Sequence, residues 1–153
     1  FMAKEELFRN PFMKAMVHWA HGFSAHRRGS VEDKRKTINQ AKNILSEGQV
    51  LGMFPEGTRN HVGKLLPGKP GAAAFAAQMD VPLLPVGIAG TEKIRGISCL
   101  WKRPHVVINM GQPFKLPPIK GRLSRSQARA LTDITMKKIA ALLPAENRGV
   151  YAD

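Results

Sequence analysis

Val50-Leu51-Gly52-Met53-Phe54-Pro55-Glu56-Gly57-Thr58-Arg59 is the stretch on which the reading of this chain turns. Val50 to Phe54 is short, apolar and bounded by Gly48 and Pro55, the pattern of a buried parallel strand. From Pro55 to Pro70 the sequence becomes rich in Gly, Pro and charge, which predicts a loop. Ligands of open α/β sheets bind beyond the carboxyl ends of strands, where this loop would start. It opens with a carboxylate, a glycine, a hydroxyl and a guanidinium, a set suited to a polyol phosphate. The planar fork of Arg59 can grip phosphate oxygens. Glu56 can accept from a hydroxyl, Gly57 lets the backbone come close, and Thr58 adds a hydroxyl of its own. The same residues allow a plainer reading, in which Glu56 and Arg59 pair with each other and staple the loop.

Working upstream, Ser30 with Asp33 reads as a capping box, and Val31, Ile38, Ala41 and Leu45 as the buried stripe of a helix ended by Gly48. Gly22 to His26 reads as a short strand. Before it, Asn10-Pro11 starts a helix with Phe12, Ala15, Met16 and Trp19 on one face. Downstream, the Ala-rich run Gly71 to Met79 predicts a helix whose small side chains allow close packing. Val81 to Ile88 and Val106 to Met110 follow as strands. Ser126 is the expected cap of a last helix, with Ala128, Leu131, Ile134, Ile139 and Leu142 as its apolar stripe and Pro144 as its stop. This alternation implies an α/β layered domain, a largely parallel central sheet flanked by helices. Residues 1–153 read as a single domain without repeats. Because position 1 is Phe and the first residues already read as ordered sequence, the chain is expected to be truncated at its N-terminus.

Composition narrows the function. The 153 residues carry 24 Lys and Arg against 11 Asp and Glu, a formal charge of +13, and 43% are hydrophobic. The single cysteine, Cys99, excludes a disulfide framework or a multi-cysteine zinc site. The longest apolar run, Gly71 to Ala77, is far shorter than the ~20 residues of a spanning helix. A surplus of this size favours anionic partners: nucleic acid, a lipid face or an anionic substrate. The basic residues are spread along the chain, and aromatics are only 7%, with no motif for stacking bases or entering a groove. A nucleic-acid-binding domain is therefore the disfavoured alternative. His18, His21 and His26 read as a wet helix face rather than a metal triplet, since no carboxylate or thiol joins them. Gly87, Gly90 and Gly96 lack the spacing of a dinucleotide fingerprint. Ile94, Ile97, Leu100 and Trp101, beside Lys102-Arg103, read first as core and second as a patch able to dip into a bilayer interface.

Phe54 to Arg59 (FPEGTR) also resembles motif III of the PlsC-type glycerolipid acyltransferases, which include lysophosphatidate and glycerol-3-phosphate acyltransferases. The resemblance runs in both directions. Phe1-Met2-Ala3-Lys4-Glu5-Glu6-Leu7 is similar to the segment that follows the catalytic motif of that family. Gly22 to Gly29 (GFSAHRRG) resembles motif II, Lys69-Pro70-Gly71-Ala72-Ala73 the stretch between motifs III and IV, and Val81-Pro82-Leu83-Leu84-Pro85-Val86 the apolar-proline motif IV. The matches keep their order and plausible spacing to about residue 115.

The resemblance implies an O-acyltransferase of phospholipid biosynthesis, peripheral or monotopic on the cytoplasmic face of an anionic membrane. The donor would be an acyl thioester on coenzyme A or an acyl carrier protein. The acceptor would be the hydroxyl of a lysophospholipid, foremost 1-acylglycerol 3-phosphate, and no metal or redox cofactor is implied. Carried over position by position, Lys4, Arg28 and Arg59 would bind the acceptor phosphate, and Glu56 and Gly57, with Thr58 between them and Arg59, its glycerol part. Arg27 stands where many members have Asp, and Lys4 and Arg28 can equally be read as surface cations, Arg28 paired with Glu32 or Asp33. The family's catalytic motif is His-x4-Asp, in which His deprotonates the acceptor hydroxyl. The residues five positions after the five histidines are Phe23, His26, Val31, Leu66 and Met110, so none completes it. No catalytic residue is assigned within the chain, and the dyad is expected upstream of Phe1. A non-catalytic lipid-binding relic of the same fold is the remaining alternative.

Overall fold

The computed structural model describes residues 2–4, 23–25, 30–58, 60–94, 101, 104–119, 121 and 123–152, with side chains from Ser30 onward, Lys34 excepted. The helix expected after Asn10-Pro11, the His18–His21–His26 group and most of the Ile94–Arg103 patch lie outside the described residues. The chain divides into two compact units, Phe1–Met53 and Phe54–Asp153.

In the first unit, β1 (Met2–Lys4) and β2 (Phe23–Ala25) pair in parallel, Met2 opposite Phe23 and Lys4 opposite Ala25. Helix α1 (Val31–Ser46) begins as the sequence requires. Ser30 Oγ accepts from Asp33 N–H at 3.2 Å, and Asp33 Oδ2 accepts from Ser30 N–H at 2.9 Å, which satisfies two donors at the helix start. At the far end Gly48 N–H bonds Leu45 C=O and Gln49 N–H bonds Ile44 C=O, both at 3.1 Å, closing the helix in a Schellman arrangement. The buried stripe is narrower than expected. Ala41 is buried with Ile44 and Leu45 half-buried beside it, whereas Val31 and Ile38 are 71% and 45% exposed. At 3.6 residues per turn those two lie roughly 60–80° round the helix from Ala41, on its flank.

The strand expected over Val50 to Phe54 is not one. These residues join no ladder among the described strands, and Val50 and Phe54 are 92% and 69% exposed. An apolar run becomes a strand only where a neighbouring edge offers hydrogen bonds.

In the second unit, α2 (Gly71–Met79) buries Ala73, Ala76 and Ala77 and ends at Asp80, whose φ is +49°. Strands β3 (Val86–Ala89) and β4 (Val107–Met110) pair antiparallel, with Val86 opposite Met110 and Ala89 opposite Val107. A bridge between Leu83 and Phe114 extends them. The α/β class holds, with one described pairing parallel and the other antiparallel.

Helix α3 (Arg125–Ala140) is capped by Ser124, not Ser126. Ser124 Oγ accepts from Gln127 N–H at 3.2 Å and Gln127 Oε1 accepts from Ser124 N–H at 3.0 Å, a capping box spelled two residues earlier than expected. Its buried face is also rotated from the expected stripe: Leu131, Thr132, Thr135, Met136 and Ala140 are buried, whereas Ile134 is exposed. The two threonines can enter the core because their hydroxyls donate to Ala128 C=O (2.7 Å) and Leu131 C=O (2.9 Å) within the same helix. The small face of α2 packs against α3, and Ala73, Ala77, Leu116 and Leu131 form the core with Leu83, Phe114, Ile119 and Leu123 around it. Lys138 Nζ lies 4.8 Å from the centre of the Phe114 ring at its margin.

Candidate functional site

The FPEGTR segment begins as a tight turn. Gly57 N–H donates to Phe54 C=O at 3.0 Å, with Pro55 at the second position, where its fixed φ suits a turn. Gly57 takes φ +64°, a value that a β-carbon would oppose. The turn is then tied to the returning limb of the loop. Lys69 N–H donates to Pro55 C=O at 2.8 Å, and Glu56 Oε2 accepts from Leu66 N–H at 2.9 Å and from Asn60 Nδ2 at 3.1 Å. Asn60 also donates to Lys64 C=O, and its Oδ1 accepts from Val62 N–H at 2.9 Å.

Glu56 is thus a strut of the loop through Leu66 and Asn60, its partners among the described residues, while the Glu56–Arg59 pairing of the plainer reading lies outside them. Hydrogen bonds to an ionised carboxylate are stronger than neutral ones, so a half-buried Glu56 fixes the loop more firmly than an amide would. Both of these bonds use Oε2. Among the described residues nothing donates to Oε1. Thr58 is exposed beside it.

Among the site residues expected from sequence, Glu56, Gly57 and Thr58 therefore stand together on one braced turn. Lys4 ends β1, with its side chain outside the described residues, and Arg28 and Arg59 lie outside them altogether.

Sequence reasoning missed the residues that brace this loop from the far end of the chain. Short 3₁₀ turns at Ala145–Asn147 and Gly149–Tyr151 follow α3. Leu65 N–H donates to Asn147 C=O at 2.9 Å, Asn147 Nδ2 donates to Gly63 C=O, and Gly68 N–H donates to the Tyr151 hydroxyl at 2.9 Å. Asn60 carried a local signal, since an Asn two residues before its N–H partner is an Asx-turn pattern. Asn147 and Tyr151 act across 84 and 83 residues, and nothing in their neighbourhood announces it. Around the loop lie a polar cavity of about 80 Å³, lined in part by Glu56, Asn60, Glu92 and Asn147, and an open, mostly apolar groove of about 440 Å³ between residues 62–66 and the C-terminal turns.

Comparison with known proteins agrees with the motif order. Residues 1–89 match the family described as Acyltransferase. The chain is 28% identical over 142 residues to the 1-acyl-sn-glycerol-3-phosphate acyltransferase of Bacillus subtilis, covering 93% of this chain and 67% of that protein. It is 29% identical to the enzyme of the same name from Haemophilus influenzae, over 92% of this chain and 58% of that one. The crystal structure of the 1-acyl-sn-glycerophosphate acyltransferase PlsC from Thermotoga maritima superposes with a TM-score of 0.59 at 28% identity, covering 93% of this chain and 56% of that chain. The chain thus spans between half and two thirds of the length of these relatives. With the family matched over more than half its residues and the motifs in their order, the chain belongs to the PlsC-type acyltransferases.

Proposed function

We propose that this chain carries the acceptor-binding part of an O-acyltransferase that moves a fatty acyl group from a thioester donor to the free hydroxyl of 1-acylglycerol 3-phosphate, in phospholipid biosynthesis. The observation that carries the reading is the braced FPEGTR turn, with Glu56 Oε2 committed to the loop and Oε1 accepting from nothing among the described residues. The relatives from Bacillus subtilis and Haemophilus influenzae are named for this acceptor, which supports the choice.

In this reading Arg59 clasps the acceptor phosphate, helped by Lys4 and Arg28, and Glu56 Oε1 accepts from a glycerol hydroxyl. The acceptor hydroxyl attacks the thioester carbonyl, its proton passes to a base, and the thiolate leaves. A thioester is already activated, so the reaction requires a positioned base rather than a metal or redox cofactor. That base is not assigned to any of the five histidines of this chain, because none has an Asp at the family spacing. The donor carrier is coenzyme A or an acyl carrier protein. The +13 charge suits a peripheral or monotopic protein working at the cytoplasmic face of an anionic membrane.

The test is calorimetric titration of the chain with a short-chain, monomeric 1-acylglycerol 3-phosphate and with the matching 1-acylglycerol. Losing the phosphate removes at least one charge-assisted contact, so the phosphorylated ligand should bind about tenfold tighter or more. Equal affinity for the two would contradict the reading.

A further inference from the structure

Three hydrogen bonds join the C-terminal turns to the returning limb of the loop, at Gly63, Leu65 and Gly68. Two more join that limb to the FPEGTR turn, Leu66 N–H to Glu56 Oε2 and Lys69 N–H to Pro55 C=O. The only covalent route from Tyr151 to Glu56 runs back through the whole second unit, yet the non-covalent route passes through one limb of a loop. The limb itself is rich in Gly and Pro and contains no helix or strand; besides these bonds it packs through Gly68 against Met136 and Thr132 of α3 and through Gly63 against Glu92.

The close approach is built in. Gly149 has φ +56°, and a β-carbon there would collide with Leu65 O and stand 2.9 Å from Leu65 N. Only glycine lets the C-terminal backbone lie this near the limb. These C-terminal turns, residues 145–151, form a strap with its own anchors: Arg148 Nε donates to Leu143 C=O at 3.1 Å, Asn147 N–H to Pro144 C=O at 2.9 Å, and the Gly149–Tyr151 turn packs against α3.

We propose that Asn147, Gly149 and Tyr151 are positioning residues for acceptor binding: together they hold the 63–68 limb so that Glu56 presents its second oxygen in a fixed place. They act through Leu66 and Glu56 and do not themselves touch the substrate. The inference deepens the acceptor-binding reading and rests on it. It assigns a role to a segment beyond residues 1–89, outside the family match.

Two readouts on the 153-residue chain test it, using Tyr151→Phe and Asn147→Ala, with Gly149→Ala as a harsher third variant. Native-state hydrogen exchange requires no ligand and therefore reads the strap even if the acceptor were something else. Exchange at Gly57, Leu66 and Lys69, none of which bonds the strap directly, should quicken by about fivefold or more in Tyr151→Phe, while the amides of α3 keep their protection. Titration with the short-chain 1-acylglycerol 3-phosphate should then show a Kd raised by about fivefold, with binding of the unphosphorylated analogue changed less and the melting temperature held within about 3 °C. Faster exchange confined to Gly68, or spread evenly through α3, would overturn the proposal. So would a wild-type Kd in Tyr151→Phe. Loss of phosphate preference already in the wild-type chain would instead strike the acceptor-binding reading and leave the exchange result to judge the strap.

Discussion

Glu56 is a strut of the loop to which the proposed function gives a second task, at its other oxygen. A carboxylate has two oxygens with room for several donors, and here Oε2 holds Leu66 and Asn60 while Oε1 accepts nothing among the described residues. Its neighbour in the motif carries the sharper prediction. Replacing Arg59 with Lys keeps the charge but loses the planar pair of donors that matches phosphate geometry. In the titration described above, Arg59→Lys should lose most of the preference for the phosphorylated ligand, about tenfold in Kd, with little change for the unphosphorylated one. An unaltered preference would make Arg59 a loop staple. Glu56, Gly57, Thr58 and Arg59 could be nominated from sequence because their chemistry is local and consecutive, and the structure describes the first three together on one turn. The sequence could not reveal that Glu56 bonds a backbone N–H ten residues on, since a backbone donor has no residue signature.

At the scale of elements, the legible features were those set by neighbours in sequence. The box at Ser30–Asp33 and the glycine closure at Gly48 were read correctly because caps depend on residues three or four apart. At α3 the same logic failed by two residues: Ser126 and Ser124 are both serines before the helix body, and only Ser124 has Gln127 three positions later. Ser124→Ala should therefore lower the stability of the chain by about 1 kcal/mol, within a range of about 0.5–2, whereas Ser126→Ala should be close to neutral. Urea denaturation of both variants checks this, and equal losses would contradict the assignment of the cap. The Val50–Phe54 run could not be decided locally, because strand formation depends on a partner edge. Thr132 and Thr135 entered the core against their usual exposure because their hydroxyls find carbonyls one turn back, a saving invisible to a stripe of apolar letters.

At the scale of the molecule, the family match ends at residue 89, while the loop it contains is braced by residues 147–151. Motif reading found the catalytic family from the matched part and had no means of connecting the tail to it. The central claim is that the turn at residues 54–59 receives the phosphate-bearing acceptor. Amide chemical-shift mapping of the isotopically labelled chain tests it most directly, with glycerol 3-phosphate, glycerol and inorganic phosphate titrated separately. The account predicts saturable shifts centred on Glu56 to Asn60 with glycerol 3-phosphate, weaker ones at the same amides with phosphate, and none with glycerol. Shifts confined to the basic helix at residues 125–140, or identical responses to glycerol 3-phosphate and to phosphate at scattered cations, would contradict it.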